Sequence, residues 1–593
     1  MLKKKLLLVA AAAILFAPAA QAGELEFTKC PFPSTDLEKR VILTSQYAKV
    51  DGKVIPINHH TILRSGDQGG MDHHKGWKGK RSGVFGQLFD VNGDKLIADD
   101  GSPYISNDND FSALVTGQQD GKLYMVSHFE SRPAAMYLTK LHQEKDGRLV
   151  AKKTRPLDCS SVMGGWVHCA GSVTPWGNHL GSEEYEPDAK TWITGEISSY
   201  NAAMAAYFGI DPENLEEVQA VMNPYDYGYV VETIVKSYRK ATVVKHYAMG
   251  RVAIELAYVM PDKKTAYISD DGTNVGLFRF EADTEGDLSA GTLYAAVYNE
   301  TDTTGMGAAD IKWVNLGHAT NDEIEAIINS GVAFNDIFDE ADPAADGTCP
   351  DDYSSINSGH GSPYLECLKL KNADMALAAS RLETRRYAAM KGATTEWRKM
   401  EGITFNPETN QLYLAMSEVS KGMENNPTGT YDIGGPNHIK LESANKCGAV
   451  YALDIDENYD ATNIYGVVAG IPDTSVDGNS CNIDGIANPD NITYLPGYDT
   501  LIIGEDTGSG HQNDMIWAYK TAGEDAGTLT RIQTTPYGSE TTSPYFYPDI
   551  NGFAYIMSVV QHPYGESDKD KFEDPSDLRG YTGYIGPFPA MNP

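Results

Sequence analysis

One pattern recurs along the chain and limits what it can fold into: an acid, a short apolar run, a Pro or Gly turn, a second apolar run and a closing acid. Segments 255–271, 401–418 and 490–506 carry it in full, and 540–562 lacks only the closing acid. Segment 166–184 is a variant in which a cysteine precedes the strands and two glutamates follow them. β-branched and aromatic hairpins at recurrent intervals predict the blades of a β-propeller.

The acids of this pattern predict a site for several metal ions. The inner strands of a propeller line a central channel, so an acid at the same point of each inner strand would converge at one mouth. Converging carboxylates are costly unless cations bind between them. In segment 166–184 alone, a buried or disulfide-bonded cysteine and a solvated Glu pair are the more common explanation of these residues, and the repeats further on favour the metal site.

The first residues have the composition of an export signal. Lys3, Lys4 and Lys5 precede an apolar run from Leu6 to Phe16, and an A-x-A cleavage site ends at Ala22. We therefore expect a Sec-type signal peptide over 1–22, a single domain over 23–593, and a periplasmic or secreted protein. No later apolar run is long enough to span a bilayer.

The formal net charge is −34. Such an acidic surface argues against nucleic acid and anionic membranes as partners and suits divalent cations. An adaptation for solubility or for salt would also explain much of the charge.

The seven cysteines are an odd number, which leaves at least one thiol unpaired in an oxidising compartment. Cys349–Cys367 and Cys447–Cys481 are plausible disulfides by proximity, although spacing does not fix connectivity. If the other six cysteines form three disulfides, Cys169 is left unpaired, and metal ligation is one way to protect such a thiol. Three stretches, 201–245, 318–345 and 368–392, read as helical insertions that pack against the β core.

Several co-linear segments resemble the PhoX-type alkaline phosphatases over about residues 40 to 565. The segments are CAGSVTPWGNHLGSEE, HYAMGRVAIELAYV, YISDDG, RRYAAMKGATTEWRKMEGITF, PDNITYL, GEDT, GSETTSPYFYPD and VVQHP. The resemblance implies a mainly β fold, a six-bladed β-propeller with helical insertions between blades. It also implies a cofactor cluster of Fe³⁺ and Ca²⁺ with a bridging oxo group that hydrolyses phosphate monoesters.

The family's site residues can be carried over by position. Cys169 matches the iron-binding cysteine, and Glu255 and Glu401 match carboxylates that bind the cluster and take part in catalysis. The remaining acids at family motif positions are predicted metal ligands: Glu183, Glu184, Asp271, Asp490 and Glu540.

Three departures from the family bear on activity. Lys399 stands where the family usually has a phosphate-binding Arg, and Ile254 stands where it usually has His. Lys399 is predicted to be catalytic, but a lysine binds phosphate as a point charge and not as a bidentate fork. The export signal is Sec-type, whereas twin-arginine export is common in the family.

The sequence therefore predicts an exported, monomeric, metal-dependent phosphomonoesterase that releases inorganic phosphate from small organic phosphate esters. One alternative is a calcium-dependent lactonase or arylesterase, because Asp490 and Asn491 would fit such a site. Another is a non-catalytic metal-binding propeller, in which the departures at Lys399 and Ile254 would accompany the absence of catalysis. A thiolate ligand at Cys169 would favour the phosphatase, since lactonase-type sites need none.

Overall fold

The described residues fold mainly into antiparallel β-strands, as predicted. The computed structural model describes residues 23–68, 83–98, 100–358, 364–426 and 429–591. The proposed signal peptide, 1–22, lies outside these ranges. Among the described residues, no helix is both long and apolar enough to cross a membrane.

Six antiparallel meanders, each of four strands, organise the described chain. The first consists of Asn109–Thr116, Leu123–Phe129, Ala135–Gln143 and Leu149–Pro156. The second consists of Gly171–Val173, His179–Ser182, Val230–Ser237 and Lys240–Lys245. The third consists of Ile254–Val259, Thr265–Asp270, Leu277–Thr284 and Asp287–Asp302.

The other three meanders repeat this order, and the last uses both ends of the chain. The fourth consists of Met400–Asn406, Gln411–Met416, Ala449–Asp454 and Asn463–Ala469. The fifth consists of Pro489–Leu495, Thr500–Glu505, Met515–Lys520 and Leu529–Thr534. The sixth consists of Glu540–Thr542, Phe553–Gln561, Tyr581–Pro589 and, from the N-terminal part, Asn58–Arg64.

The meanders close into a ring. From the first meander to the sixth, each first strand lies against the first strand of the next, and the sixth meander contacts the first. This confirms the prediction of a mainly β, propeller-like fold. The count of six blades stays a prediction, because strand Ala308–Thr320 joins the third and fourth meanders into one nine-stranded sheet.

Apolar side chains fill the interfaces between successive meanders. Leu256 of the third meander and Ile403 of the fourth lie in one buried cluster, and Ile502 of the fifth and Ile556 of the sixth lie in another. The alternation of apolar residues along these strands therefore serves packing between blades.

The predicted insertions are helical only in part. In 201–245, helix Leu215–Val221 is followed by strands Val230–Ser237 and Lys240–Lys245, whose β-branched residues pack in the core. In 318–345, helix Asn321–Asn329 follows a strand that runs to Thr320. In 368–392, the helices are Ala376–Leu382 and Thr384–Met390.

Smaller elements complete the described fold. A three-stranded sheet of the N-terminal part consists of Leu25–Phe27, Tyr47–Val50 and Lys53–Pro56. A second consists of Phe338–Ala341, Ser354–Asn357 and Leu365–Leu370. The short helices Ala189–Thr194, Ser199–Ala202 and Phe334–Ile337 lie in the connections.

The cysteines form two disulfides, Cys349–Cys367 and Cys447–Cys481. Cys169 forms no disulfide, as predicted, but the third disulfide expected among the other six cysteines is wrong, since Cys30 and Cys159 are buried and form none. The fold holds the two thiols apart: the backbone of Cys30 is bonded to the fifth meander, and Cys159 packs between the first and second.

We expect three thiols in the unfolded, metal-free, non-reduced protein, at Cys30, Cys159 and Cys169. Alkylation followed by peptide mass spectrometry measures this, and a fully reduced sample, in which all seven cysteines react, is the control. A disulfide that includes Cys169 would contradict its assignment to the metal centre.

Candidate active site

The first strands of four meanders carry the same irregularity near their beginning. Their pairing with the second strand shifts register between Asn109 and Ser112, and at the equivalent points of the third, fourth and fifth meanders. The first residue inside each shift is acidic: Asp110, Glu255, Glu401 and Asp490. A β-bulge bends its strand and redirects a side chain, so the repeated bulge presents one acid per strand to the centre of the ring.

Hydroxyl groups fix the backbone of these acids to the preceding meander. Ser182 Oγ donates to the carbonyl oxygen of Glu255 at 2.7 Å, and Ser269 Oγ donates to that of Glu401 at 2.6 Å. The acids are therefore positioned by rigid strands and not by loops.

Among the described residues, seven side chains meet in three overlapping groups, each with its ligand atoms within 4.8 Å of one another. The groups are Asp110, Glu130 and Cys169; Cys169, Glu184 and Glu255; and Glu255, Glu401 and Asp490. Cys169 and Glu255 are each shared by two groups, so the cluster is continuous. All are buried except Glu130, which is half-buried.

Adjacent acids at the ends of the second strands have different roles. Asp270 accepts from Arg385 Nε at 2.8 Å, whereas Asp271 lies at the centre beside Lys399. Because successive residues of a strand point to opposite faces, only one acid of each pair can reach the cluster.

Glu183 and Glu184 are a second pair of adjacent acids in which only one residue reaches the cluster. Glu183 lies 2.9 Å from Lys245 and accepts from the backbone N–H of Gly228 and Trp166, so the structure does not bring it to the cluster. Glu184 belongs to the second group.

Two other predicted ligands lie beside the three groups. Asp271 accepts from the Tyr185 hydroxyl at 2.6 Å, and its Oδ1 atom is buried without a hydrogen-bond partner. Glu540 Oε2 lies 3.6 Å from His562 Nε2. Burial, followed by the charge of Asp506, holds the pKa of Glu540 well above its usual value.

Lys399 brings a positive charge into this site. Its Nζ lies 3.2 Å from Asp271 Oδ2 and 3.2 Å from Glu401 Oε1. Its backbone has φ 46°, a conformation that costs a non-glycine residue energy and that is frequent at functional sites. Backbone bonds to Gly272 and Ser417 hold it there.

The charges of the cluster are unfavourable without cations. Burial, and next the charge of Asp490, raises the pKa of Glu255 well above its usual value. Burial and then Asp271 raise the pKa of Glu401 to about 7, and burial followed by Glu255 raises that of the Cys169 thiol. The Oδ2 atom of Asp110 is buried without a partner. Carboxylates with unused oxygens beside one thiol fit a cluster of hard cations that includes a transition metal.

Three acids of the centre are absent from the predicted ligands. Asp110 and Glu130 frame the first hairpin, but its turn is longer than in the other repeats and obscures the pattern. Asp506 closes the repeat of the fifth meander, and burial raises its pKa although Lys399 lowers it. An acid directly after a second strand would identify Glu130 and Asp506, and an acid at the start of a first strand would identify Asp110.

A ring of meanders with a buried centre of carboxylates and one thiol defines a propeller-like, metal-dependent enzyme. The family model described as alkaline phosphatase PhoX matches residues 89–563, and the chain belongs to that family. It is therefore a phosphoric monoester hydrolase.

The solved structures that match this chain include the following two. PhoX from Pseudomonas fluorescens, in complex with vanadate, a transition state analogue, has a TM-score of 0.59 and 16% identity, and the match covers 95% of this chain and 98% of that chain. An α-L-arabinofuranosidase mutant from Fusarium graminearum has 9% identity over 81% of this chain and 93% of that chain. Its TM-score of 0.29 is too low to imply a shared architecture. No curated protein sequence matches the chain.

The neighbours Glu183 and Glu184 provide a matched pair for testing these assignments. Glu183→Gln should lower the unfolding free energy of the metal-free protein by about 3 kcal/mol, since Lys245 would be left buried without its counter-charge. Glu184→Gln should not lower it, because the change removes one of several repelling carboxylates, but should weaken stabilisation by added cations. Chemical denaturation with and without chelator measures both. Equal losses in the two variants would contradict the division of roles.

Proposed function

We propose that the protein is an exported phosphomonoesterase that uses Fe³⁺ and Ca²⁺ to release inorganic phosphate from organic phosphate esters. The three overlapping ligand groups, in which one thiol meets six carboxylates, carry the proposal. The two disulfides support export, because disulfides persist mainly outside the cytoplasm.

The donor atoms suggest which residues would hold which ion. Iron would lie at Cys169, which is shared by the first two groups, because a thiolate favours a transition metal over calcium. Calcium would lie at Glu255, Glu401 and Asp490, which offer only carboxylate oxygens. When bound, the ions neutralise phosphate charge and activate the nucleophile that attacks phosphorus.

The chain's own residues would position the substrate. We assign Lys399 to a non-bridging oxygen of the phosphoryl group, where its charge stabilises the transition state. Asp271 and Glu401 hold its ammonium group at the cluster, and Tyr185 holds Asp271. The catalytic pair proposed with Lys399 is Glu255 and Glu401.

Nearby arginines are poorly placed to replace Lys399. Arg398 lies 2.6 Å from Glu418, and Arg386 is bonded to Glu366 and Glu383. Both guanidinium groups therefore already have carboxylate partners within the protein.

Lys399→Ala should lower kcat/KM on the order of 10²-fold, the scale of losing one charge-stabilising donor. Lys399→Arg should retain or raise activity, because the guanidinium fork matches phosphate geometry. Steady-state kinetics with a chromogenic phosphate ester measure this, and metal content should be retained in both variants. Parental kinetics in Lys399→Ala would remove Lys399 from the site.

The Cys169→Ser variant should lose iron, whereas Cys159→Ser, a change at another buried cysteine outside the two disulfides, should keep it. Elemental analysis of the purified proteins measures iron and calcium per chain. Absence of iron from the parent would favour the lactonase-type alternative. Iron with no turnover of phosphate esters would favour a non-catalytic propeller.

A further inference from the structure

A cavity of about 800 Å³ opens beside the proposed phosphate position. Its lining includes Asp271 and Lys399 at the cluster and the rings of Tyr185 and Tyr200 further out. A phosphate group fills only a small part of such a volume, so the rest is available to the alcohol to which the phosphate is esterified.

The two tyrosine rings are exposed, and a contact to each residue fixes the orientation of its ring. Tyr185 is 38% exposed and Tyr200 is 40% exposed, and their ring centroids lie 6.4 Å apart in an edge-to-face arrangement. The Tyr185 hydroxyl is bonded to Asp271, and the guanidinium carbon of Arg132 lies 2.9 Å above the Tyr200 ring centroid. Fixed aromatic rings that remain exposed at an active site are suited to contact a ligand.

The cations in the cavity wall are already paired. Arg385 Nη1 lies 3.1 Å from Glu186 Oε1, and Arg398 lies 2.6 Å from Glu418. Lys399 is shared between two carboxylates of the cluster. Each cation among the described lining residues therefore has a carboxylate partner, and the outer part of the cavity offers ring surface beside the Arg132 guanidinium group that lies on the Tyr200 ring.

We infer that this cavity is the leaving-group site and that Tyr185 and Tyr200 favour phosphate monoesters whose leaving group carries a planar aromatic ring. The inference rests on the proposed function. In the reaction, the oxygen of water bonds to phosphorus, the bond from phosphorus to the ester oxygen breaks, and that oxygen takes up a proton. The aromatic ring of the leaving alcohol stacks on the tyrosine rings until the alcohol is released.

The test compares phenyl phosphate, adenosine 5′-monophosphate and glycerol phosphate on the metal-loaded protein. The parent should have a lower KM for the two aromatic esters than for glycerol phosphate. Tyr200→Ala should reduce this preference about tenfold through KM and not through kcat, the scale of losing one stacking partner. Calorimetric binding of phenylphosphonate and methylphosphonate, which are not hydrolysed, should show the same loss for the phenyl compound.

Two controls separate ring contact from a structural effect. Tyr200→Phe should restore the preference, and Tyr47→Ala, at another exposed tyrosine on the N-terminal sheet, should leave all kinetics at parental values. If Tyr200→Ala loses the preference only for phenyl phosphate, the site is assigned to aryl esters. If it loses the preference only for adenosine 5′-monophosphate, the site is assigned to nucleoside phosphates. Both results support the inference.

Equal KM values for the three esters in the parent, or a Tyr200→Ala variant with unchanged preference, would overturn the leaving-group site while the phosphatase assignment stands. A parent that hydrolyses none of the esters would overturn the proposed function itself.

Discussion

Repulsion between buried carboxylates is the constraint around which the ring is built. Two unit charges separated by 4.8 Å, the limit within each ligand group, repel by about 3 kcal/mol at an effective dielectric constant of about 20. Several such pairs meet at Glu255 alone. The apolar clusters between successive meanders must offset this cost in the metal-free protein, and partial protonation of the acids, indicated by their raised pKa values, reduces it.

The alternation of side chains along a strand determines how the acids are used. At the end of the third meander's second strand, Asp270 faces away from the centre and binds Arg385, while Asp271 faces inward. The fifth meander repeats this arrangement, since Glu505 binds His511 and Asp506 faces the cluster region. Each pair thus supplies one acid that holds the surrounding packing and one that remains available to cations.

The sequence predicts the strands and most of the centre because both follow local rules. Apolar hairpins identify the meanders, and acids at strand starts identify Glu255, Glu401 and Asp490. The hairpin from Asp110 to Glu130 is not recognised as a repeat, because its longer turn places the two acids further apart in the sequence than in the other segments.

Other features depend on tertiary context. Whether Glu183 or Glu184 faces inward depends on strand register, which a bulge can change without any mark in the sequence. The strands Val230–Ser237 and Lys240–Lys245 were predicted as helix, although their burial pattern fits the second meander. Cys30 and Cys159 form no disulfide because they contact different meanders, which spacing along the chain cannot show.

The sixth meander also joins distant parts of the chain. Its outer strand, Asn58–Arg64, pairs with Tyr581–Pro589 and with no other strand among the described residues. During synthesis Asn58–Arg64 is therefore present long before its partner, and its edge stays unpaired until Tyr581–Pro589 has left the ribosome. The outer half of this sheet is completed only after its inner strands, Glu540–Thr542 and Phe553–Gln561, have been made.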